Sequence, residues 1–288
     1  MGKWIKKHLI TIIIVVVLLA GLGLLLYPTI ADYWNSFHQS RAIMSYAADV
    51  ANMDTEEYDK LIADAQDYNR RLAETGINWE MSEEDLAEYN SLLDFTNTGI
   101  MGYIMIDRID VSLPIYHGTS ESVLQTSIGH IDGTSLPVGA ASYDLKEGRV
   151  TDPAEGVHCV VSGHRGLPSA RLFSDLDKIV EGDIFTLNIL DDTYTYQVDQ
   201  IRIVEPYDLS SLAIENGKDY CTLVTCTPYG INTHRLLVRG HRVANAQGDL
   251  KVISDAFQIR AIYIAPFIAV PILLMLLIFM LIVTRKRR

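Results

Sequence analysis

Thr222-Leu223-Val224-Thr225-Cys226 is an apolar, β-prone run that ends on a thiol, and the Thr227-Pro228-Tyr229-Gly230 behind it is a turn whose Pro and Gly stop a strand. Arg235 then opens a second β-like run that reaches Val243. A strand, an eight-residue loop and a returning strand bring Cys226 and Arg235 near each other. That placement is chemically useful, because a guanidinium stabilises a thiolate and donates to a developing oxyanion. The competing reading is a small buried thiol beside an exposed strand arginine. Upstream, Ser162-Gly163-His164-Arg165-Gly166 follows another apolar run, and its glycines let a loop hold an imidazole close to a substrate. A thiol needs such a partner to share its proton and then to protonate a leaving amine. His117, His130, His234 and His241 are the alternative imidazoles.

Outward from these motifs, residues from Gly99 onward break into short β-like runs divided by turn residues: Ile100–Ile106, His158–Ser162, Asp183–Leu190, Tyr194–Val204, Tyr220–Cys226 and Arg235–Val243. Ser169–Ile179 reads as one short helix, with Leu172, Phe173, Leu176 and Ile179 on its apolar face. Short strands at irregular spacing predict a compact β-barrel or sandwich rather than a parallel α/β sheet. Residues 141–156 are polar and turn-rich and read as a surface loop. Before Gly99 the pattern is helical. Tyr58, Leu61, Ile62, Ala65, Tyr68 and Leu72 recur at three and four, Asp54 with Glu57 marks a start, and Gly76 marks a stop. Ser82 with Asp85 starts another helix, and Ile77-Asn78-Trp79-Glu80-Met81 links the two.

The ends decide the class. Leu9–Tyr27 is a 19-residue run without a charge and Ala261–Thr284 a 24-residue one, each long enough to cross a bilayer core. Lys3, Lys6 and Lys7 precede the first, and Arg285, Lys286, Arg287 and Arg288 follow the second. By the positive-inside rule both termini are cytoplasmic and the segment between the spans faces outward. Over the whole chain of 288 residues, 24 Lys+Arg stand against 36 Asp+Glu, a formal charge of -12, and the acids all lie between the spans. A freely soluble cytosolic protein and a nucleic-acid binder are excluded as leading readings. The first span reads as an uncleaved signal anchor rather than a cleaved signal peptide, because Pro28-Thr29-Ile30-Ala31 is a poor small-x-small cleavage site. Neither span holds an ionisable residue, so both read as anchors rather than as part of a channel or transporter. Three cysteines are too few for a disulfide framework, and their odd number leaves at least one thiol free.

Thr222–Cys226 with Arg235 nine residues on, the Gly163-His164-Arg165-Gly166 loop, Gly99-Ile100-Met101-Gly102-Tyr103-Ile104 and Leu113-Pro114-Ile115-Tyr116-His117-Gly118 together resemble the class C, pilus-building sortases. The resemblance covers most of 99–243 and the two-anchor layout. It implies a mainly β fold, an eight-stranded sortase-type barrel with short helices, preceded by an N-terminal helical and lid segment and flanked by two transmembrane helices. The implied organisation is a cytoplasmic tip and anchor over 1–27 and an extracytoplasmic helical segment over 28–98 with a lid at 77–81. A catalytic barrel follows over 99–243, then a tether over 244–260, and a second transmembrane helix with its basic tail over 261–288. It also implies a catalytic trio of His164, Cys226 and Arg235, and cysteine transpeptidation with no metal or cofactor. The implied substrates are pilin subunits, one bearing a Leu-Pro-x-Thr-Gly-like sorting signal and another an acceptor lysine, at a Gram-positive cell surface. The alternatives are a sortase attaching proteins to peptidoglycan, a secreted-side cysteine hydrolase, and a binding ectodomain with a decayed site.

Two departures from the family pattern stand out. Class C lids commonly carry an Asp-Pro-aromatic motif, whereas the aligned Asn78-Trp79 keeps the aromatic but has neither the Asp nor the Pro. Trp79 is therefore expected to cover Cys226 while Asn78 supplies no anionic contact to the arginine; the alternative is a Trp packed between two helices. Cys159 and Cys221 occupy positions where the family usually has other residues, each five before a catalytic one. The family runs these two strands parallel and adjacent, so they are either a disulfide or two reduced, buried thiols.

Overall fold

The computed structural model describes residues 2–140, 142–144, 149–151 and 155–245. Helix α1 (Gly2–Ala51) contains the whole of the first apolar run and does not stop where that run ends: Pro28 lies within it. The boundary drawn at residue 27 is thus no break in the backbone. Ile10, Val17, Leu24 and their apolar neighbours are exposed, and among the described residues this is the one helix long and apolar enough to cross a membrane. The second expected span, 261–284, lies outside the described residues, as does the tether beyond Asn245.

Helices α2 (Thr55–Thr75) and α3 (Glu83–Ser91) start where their caps predict. The Asp54 carboxylate accepts from the Glu57 N–H at 2.7 Å, and Ser82 and Asp85 form a reciprocal capping box. Gly76 ends α2 at φ 84°, a conformation that favours glycine. Ala65, Tyr68 and Leu72 bury one stripe of α2, and Tyr89 of α3 is fully buried. Polar side chains on this layer satisfy backbone groups of the fold that would otherwise be buried without partners. Asn69 donates to the Leu136 carbonyl and accepts from the Leu136 N–H, at 3.0 and 2.7 Å. The Tyr46 hydroxyl donates to the Met101 carbonyl and accepts from the Leu190 N–H, at 2.9 and 2.8 Å.

The remaining elements are β1 (Ile100–Ile106), β2 (Val111–His117), the short α4 (Glu121–Leu124), β3 (Ile128–His130), β4 (Ser142–Asp144), β5 (Arg149–Thr151) and β6 (Val157–Gly163). Then come β7 (Ile184–Ile189), β8 (Asp192–Val204), β9 (Asp219–Thr227) and β10 (His234–Val243). Eight of these strands close a barrel in the order β1-β2-β3-β6-β9-β10-β8-β7. Closure gives every strand of the barrel a neighbour on both sides. The pairs β2–β3 and β6–β9 are parallel and the others antiparallel. Along β6, β9 and β10, Cys159, Val161, Cys221, Leu223, Leu236 and Val238 are all buried and share the inner face by strand alternation. On the outer face Val160, Val224 and Leu237 form an apolar cluster with Leu212, from the β8–β9 connection, and Ile77, Ile131 and Val204 pack against it.

Two expectations change. Ser169–Ile179 is not a helix but an irregular segment with a single 3₁₀ turn, Leu176–Lys178. Leu172 sits at φ 39°, which no right-handed helix accommodates, yet Leu172, Phe173, Leu176 and Ile179 are all buried as the apolar pattern required. The loop expected over 141–156 contains a small antiparallel hairpin of β4 and β5. Cys159 and Cys221 face each other directly across the parallel β6–β9 pair. Both are free, buried thiols, and burial pushes the Cys221 thiol up.

His158, at the start of β6, is buried between the Ala213 carbonyl (Nδ1, 2.9 Å) and the Thr222 hydroxyl (Nε2, 2.7 Å). Burial, reinforced by the Arg239 charge and opposed by the Ala213 carbonyl and Asp199, lowers its pKa from 6.5 to about 4. The folded protein therefore holds His158 neutral where the unfolded chain would protonate it. This stabilisation is complete above pH 6.5 and is lost as pH falls toward 4, on the order of 3 kcal/mol in all. Urea unfolding from pH 7 to 4.5 is expected to show a steeper loss of stability for the wild type than for His158→Gln. Parallel pH curves for the two would contradict this assignment.

Candidate active site

Cys226 sits near the end of β9, and in the β9–β10 ladder its direct partner is Arg235. Side chains of directly opposed residues project from the same face with Cβ atoms about 5 Å apart. The next strand is in step, because Arg235 also faces Val204 of β8. On the other flank, the parallel β6–β9 ladder runs from Val157↔Asp219 to Ser162↔Val224. Carrying that register two residues further sets His164 level with Cys226. Cys226 and Arg235 thus stand side by side at one end of the barrel, on the outer face beyond the apolar cluster of Val160, Val224 and Leu237, and the extended register brings His164, just past the end of β6, level with them. All three are partly exposed. Arg235 donates to the neighbouring His234 carbonyl at 3.2 Å.

Of the alternative imidazoles, His117, His130 and His241 lie elsewhere in the fold, whereas His234 directly precedes Arg235 and pairs with Thr227 in the β9–β10 ladder. His130 is fully buried and bonded to the Tyr89 hydroxyl, the Ser135 carbonyl and Thr134. His117 contacts the Gly99 and Leu92 carbonyls, and its burial lowers its pKa. His234 faces Glu205, and His241 is opposed to Tyr220 in the β9–β10 ladder.

The segment expected to act as a lid reaches the same outer face by a different residue. Ile77 packs on the apolar cluster that contains Val224 and Leu237, whereas Trp79 is 41% exposed. The Asn78 N–H donates to the Gly133 carbonyl at 3.1 Å, and Gly133, at φ 79°, passes so close that a Cβ there would lie 1.9 Å from the Asn78 carbonyl oxygen. The Asn78 side chain is engaged within its own segment, accepting from the Glu80 N–H and donating to Asp85.

On the inner side of the same strand ends lies a cavity of about 630 Å³. Its lining includes Arg165, Thr227 and Leu236, each one residue beyond His164, Cys226 and Arg235, together with Tyr229, Asp177 and Ile203. Arg165 belongs to the histidine loop, and nothing in the sequence marks it for a role. Its guanidinium donates to the Thr227 hydroxyl at 3.3 Å, pairs with Asp177, and lies 5.7 Å from the centre of the Tyr229 ring. The only signal in the sequence was a charged residue between His164 and Gly166. Among the described residues, no three His, Cys, Asp or Glu side chains are grouped as metal ligands.

Comparison with known proteins gives the family. Residues 104–243 match the sortase domain family. The chain is 56% identical to sortase C1 of Streptococcus agalactiae, whose crystal structure aligns with a TM-score of 0.65 over 71% of this chain and 99% of that one. Sortase C of Streptococcus pneumoniae is 41% identical, with 70% and 96% covered and a TM-score of 0.58. Sortase C of Clostridium perfringens, solved with the C-terminal cell wall sorting motif, is 40% identical, with 70% and 97% covered and a TM-score of 0.57. The chain belongs to the sortase family of cysteine transpeptidases, and the solved structures it resembles include class C members.

Gly163 closes β6 immediately before His164. A Cβ at this position would lie 2.7 Å from the Phe173 ring and 2.8 Å from Ile128. Gly163→Ala is expected to cost about 1–3 kcal/mol of stability through overpacking and to lower turnover. Ser162→Ala, whose side chain lies on the opposite face of the strand, should cost less. Denaturation of the two variants checks this, and equal stabilities would contradict the packing argument.

Proposed function

We propose that this sortase polymerises pilin subunits, with Cys226 as nucleophile, His164 as general acid and base, and Arg235 as the group that holds the substrate carbonyl or its oxyanion. The observation that carries the role assignment is the direct Cys226–Arg235 pairing, with His164 following directly on the end of the adjacent parallel strand β6. In the first half-reaction the Cys226 thiolate attacks the threonine carbonyl of a Leu-Pro-x-Thr-Gly-like sorting signal. The Thr–Gly C–N bond breaks, and the glycine amine leaves with the proton carried by His164. In the second, a lysine amine of another pilin attacks the thioester, its proton passes to His164, the C–S bond breaks, and an isopeptide bond joins the two subunits. Likeness to class C structures supports pilins as substrates; the work on the Streptococcus pneumoniae enzyme concerns pilin substrate specificity in that protein.

The proposed organisation follows the sequence. Residues 1–27 and 261–288 anchor the chain from the cytoplasmic side, and the barrel of residues 99–243 works on the outer face of the membrane. The helical segment 28–98 carries a lid at 77–81, and residues 244–260 tether the barrel to the second anchor. The exposed apolar surface of α1 supports the first anchor. The seating of Ile77 on the cluster next to Cys226 supports the lid, with Ile77 as its foothold and Trp79 as the part free to swing over the thiol.

The test uses the full chain in detergent, a sorting-signal peptide and a lysine-bearing pilin fragment, followed by intact mass spectrometry. A peptide adduct on the wild type but not on Cys226→Ala, discharged onto the lysine, is the expected outcome. Discharge onto a peptidoglycan amine in preference to the pilin lysine would replace pilin polymerisation by wall anchoring. Discharge onto water alone would make the protein a hydrolase.

A further inference from the structure

We propose that Thr225 and Arg165 are positioning residues that together hold His164 at the correct distance from Cys226 for proton transfer. The inference deepens the transpeptidase reading above and rests on it. Cys226 is fixed to Arg235 by the backbone itself, because the β9–β10 ladder runs on to Thr227↔His234. His164 has no such support. The parallel β6–β9 ladder ends at Ser162↔Val224, two residues short of the level of the histidine and the cysteine. Over that gap two side-chain hydrogen bonds replace the missing backbone rungs. The Thr225 hydroxyl donates to the Gly163 carbonyl at 2.7 Å, both residues being buried. Arg165 donates to the Thr227 hydroxyl at 3.3 Å.

The two bonds bracket the pair symmetrically: one joins the residues before His164 and Cys226, the other the residues after them. By strand alternation Thr225 and Thr227 point to the inner side of β9, so neither bond obstructs the outer face on which His164 and Cys226 meet a substrate. Each bond is itself anchored. The Arg165 side chain is 7% exposed, its second terminal nitrogen pairs with Asp177, and its guanidinium lies over the Tyr229 ring. The His164 carbonyl accepts from the Phe173 N–H at 3.1 Å, and the Gly166 N–H donates to Ser174 at the same distance. The histidine loop is thus tied at three successive residues, and none of these contacts uses its imidazole.

A bracket of this kind governs proton delivery rather than substrate binding, and this sets the test. Expulsion of an amine requires protonation by His164, whereas expulsion of an alkoxide from an ester depends on it much less. The full chain in detergent is assayed with a sorting-signal peptide containing the Thr–Gly amide and with the matching Thr–glycolate ester. Thr225→Val removes the hydroxyl donor, and Thr225→Ser restores it. Arg165→Lys keeps the charge but cannot serve Thr227 and Asp177 with one planar fork.

Thr225→Val and Arg165→Lys are expected to lower kcat on the amide by roughly 10- to 100-fold, the scale of a misplaced catalytic group, with KM little changed. The ester should lose only a few-fold, and Thr225→Ser should recover most of the amide rate. Unchanged amide turnover in both variants overturns the bracket. So does an equal loss on amide and ester, which marks a general structural defect, and so does failure of Thr225→Ser to rescue. A wild type that forms no acyl-enzyme at Cys226 with either substrate overturns instead the transpeptidase reading on which the bracket rests.

Discussion

The parallel pairing of β6 with β9 is the constraint on which the rest of the molecule depends. Its register, from Val157↔Asp219 to Ser162↔Val224, decides which residues enter the barrel and which face outward. A slip of one residue would exchange the two faces, turning Val161 and Leu223 to the outside. In the observed register both are fully buried, and the outward direction is left to His164 and Cys226. Parallel strands cannot be joined by a tight turn, so a long crossover must separate them. This chain uses residues 164–218 for that purpose and builds β7 and β8 within it, closing the barrel against β1 and β10. Placement of the proposed histidine beside the proposed nucleophile and closure of the fold are therefore consequences of one pairing.

The same strand ends have two chemically different sides. The outer face is an apolar cluster beyond which the proposed catalytic residues stand, and Ile77 reaches it from the helical layer. The inner side opens into the cavity of Arg165, Thr227 and Leu236, where charged and hydroxyl groups tie the histidine loop to the cysteine strand. This division separates surface that a substrate can occupy from the polar contacts that hold the site in shape. It also explains how a residue next to the nucleophile is buried while Cys226 itself is partly exposed.

The elements legible in the sequence were those whose signal is local. The Asp54 and Ser82 caps, the glycine stop at Gly76, and the strand–turn–strand of Cys226 and Arg235 all rest on short-range physics, and the structure contains them where they were read. The segment 169–179 was misread because its apolar spacing suits a helix, whereas the left-handed Leu172 buries the same side chains in an irregular turn. The three-residue β3 carries too little periodicity to be seen, and only its partners β2 and β6 define it. Ile77 outranks the neighbouring Trp79 in packing for a reason that lies 80 to 160 residues away, in the cluster it covers. Thr225 and Arg165 were visible as letters of motifs, but their bonds join β9 to the histidine loop and belong to the tertiary structure.

We propose that His164, Cys226 and Arg235 act as one unit, set level with one another by the registers of β9 with its two neighbours, β6 and β10. Groups that act as a unit are non-additive: once one is lost, losing a second adds little. The most direct measurement is single-turnover acylation by a sorting-signal peptide for His164→Ala, Arg235→Ala and the double variant, each checked for folding. The account predicts that the double variant is little slower than the slower of the two single variants. A double variant whose defect is the product of the two single defects would contradict it.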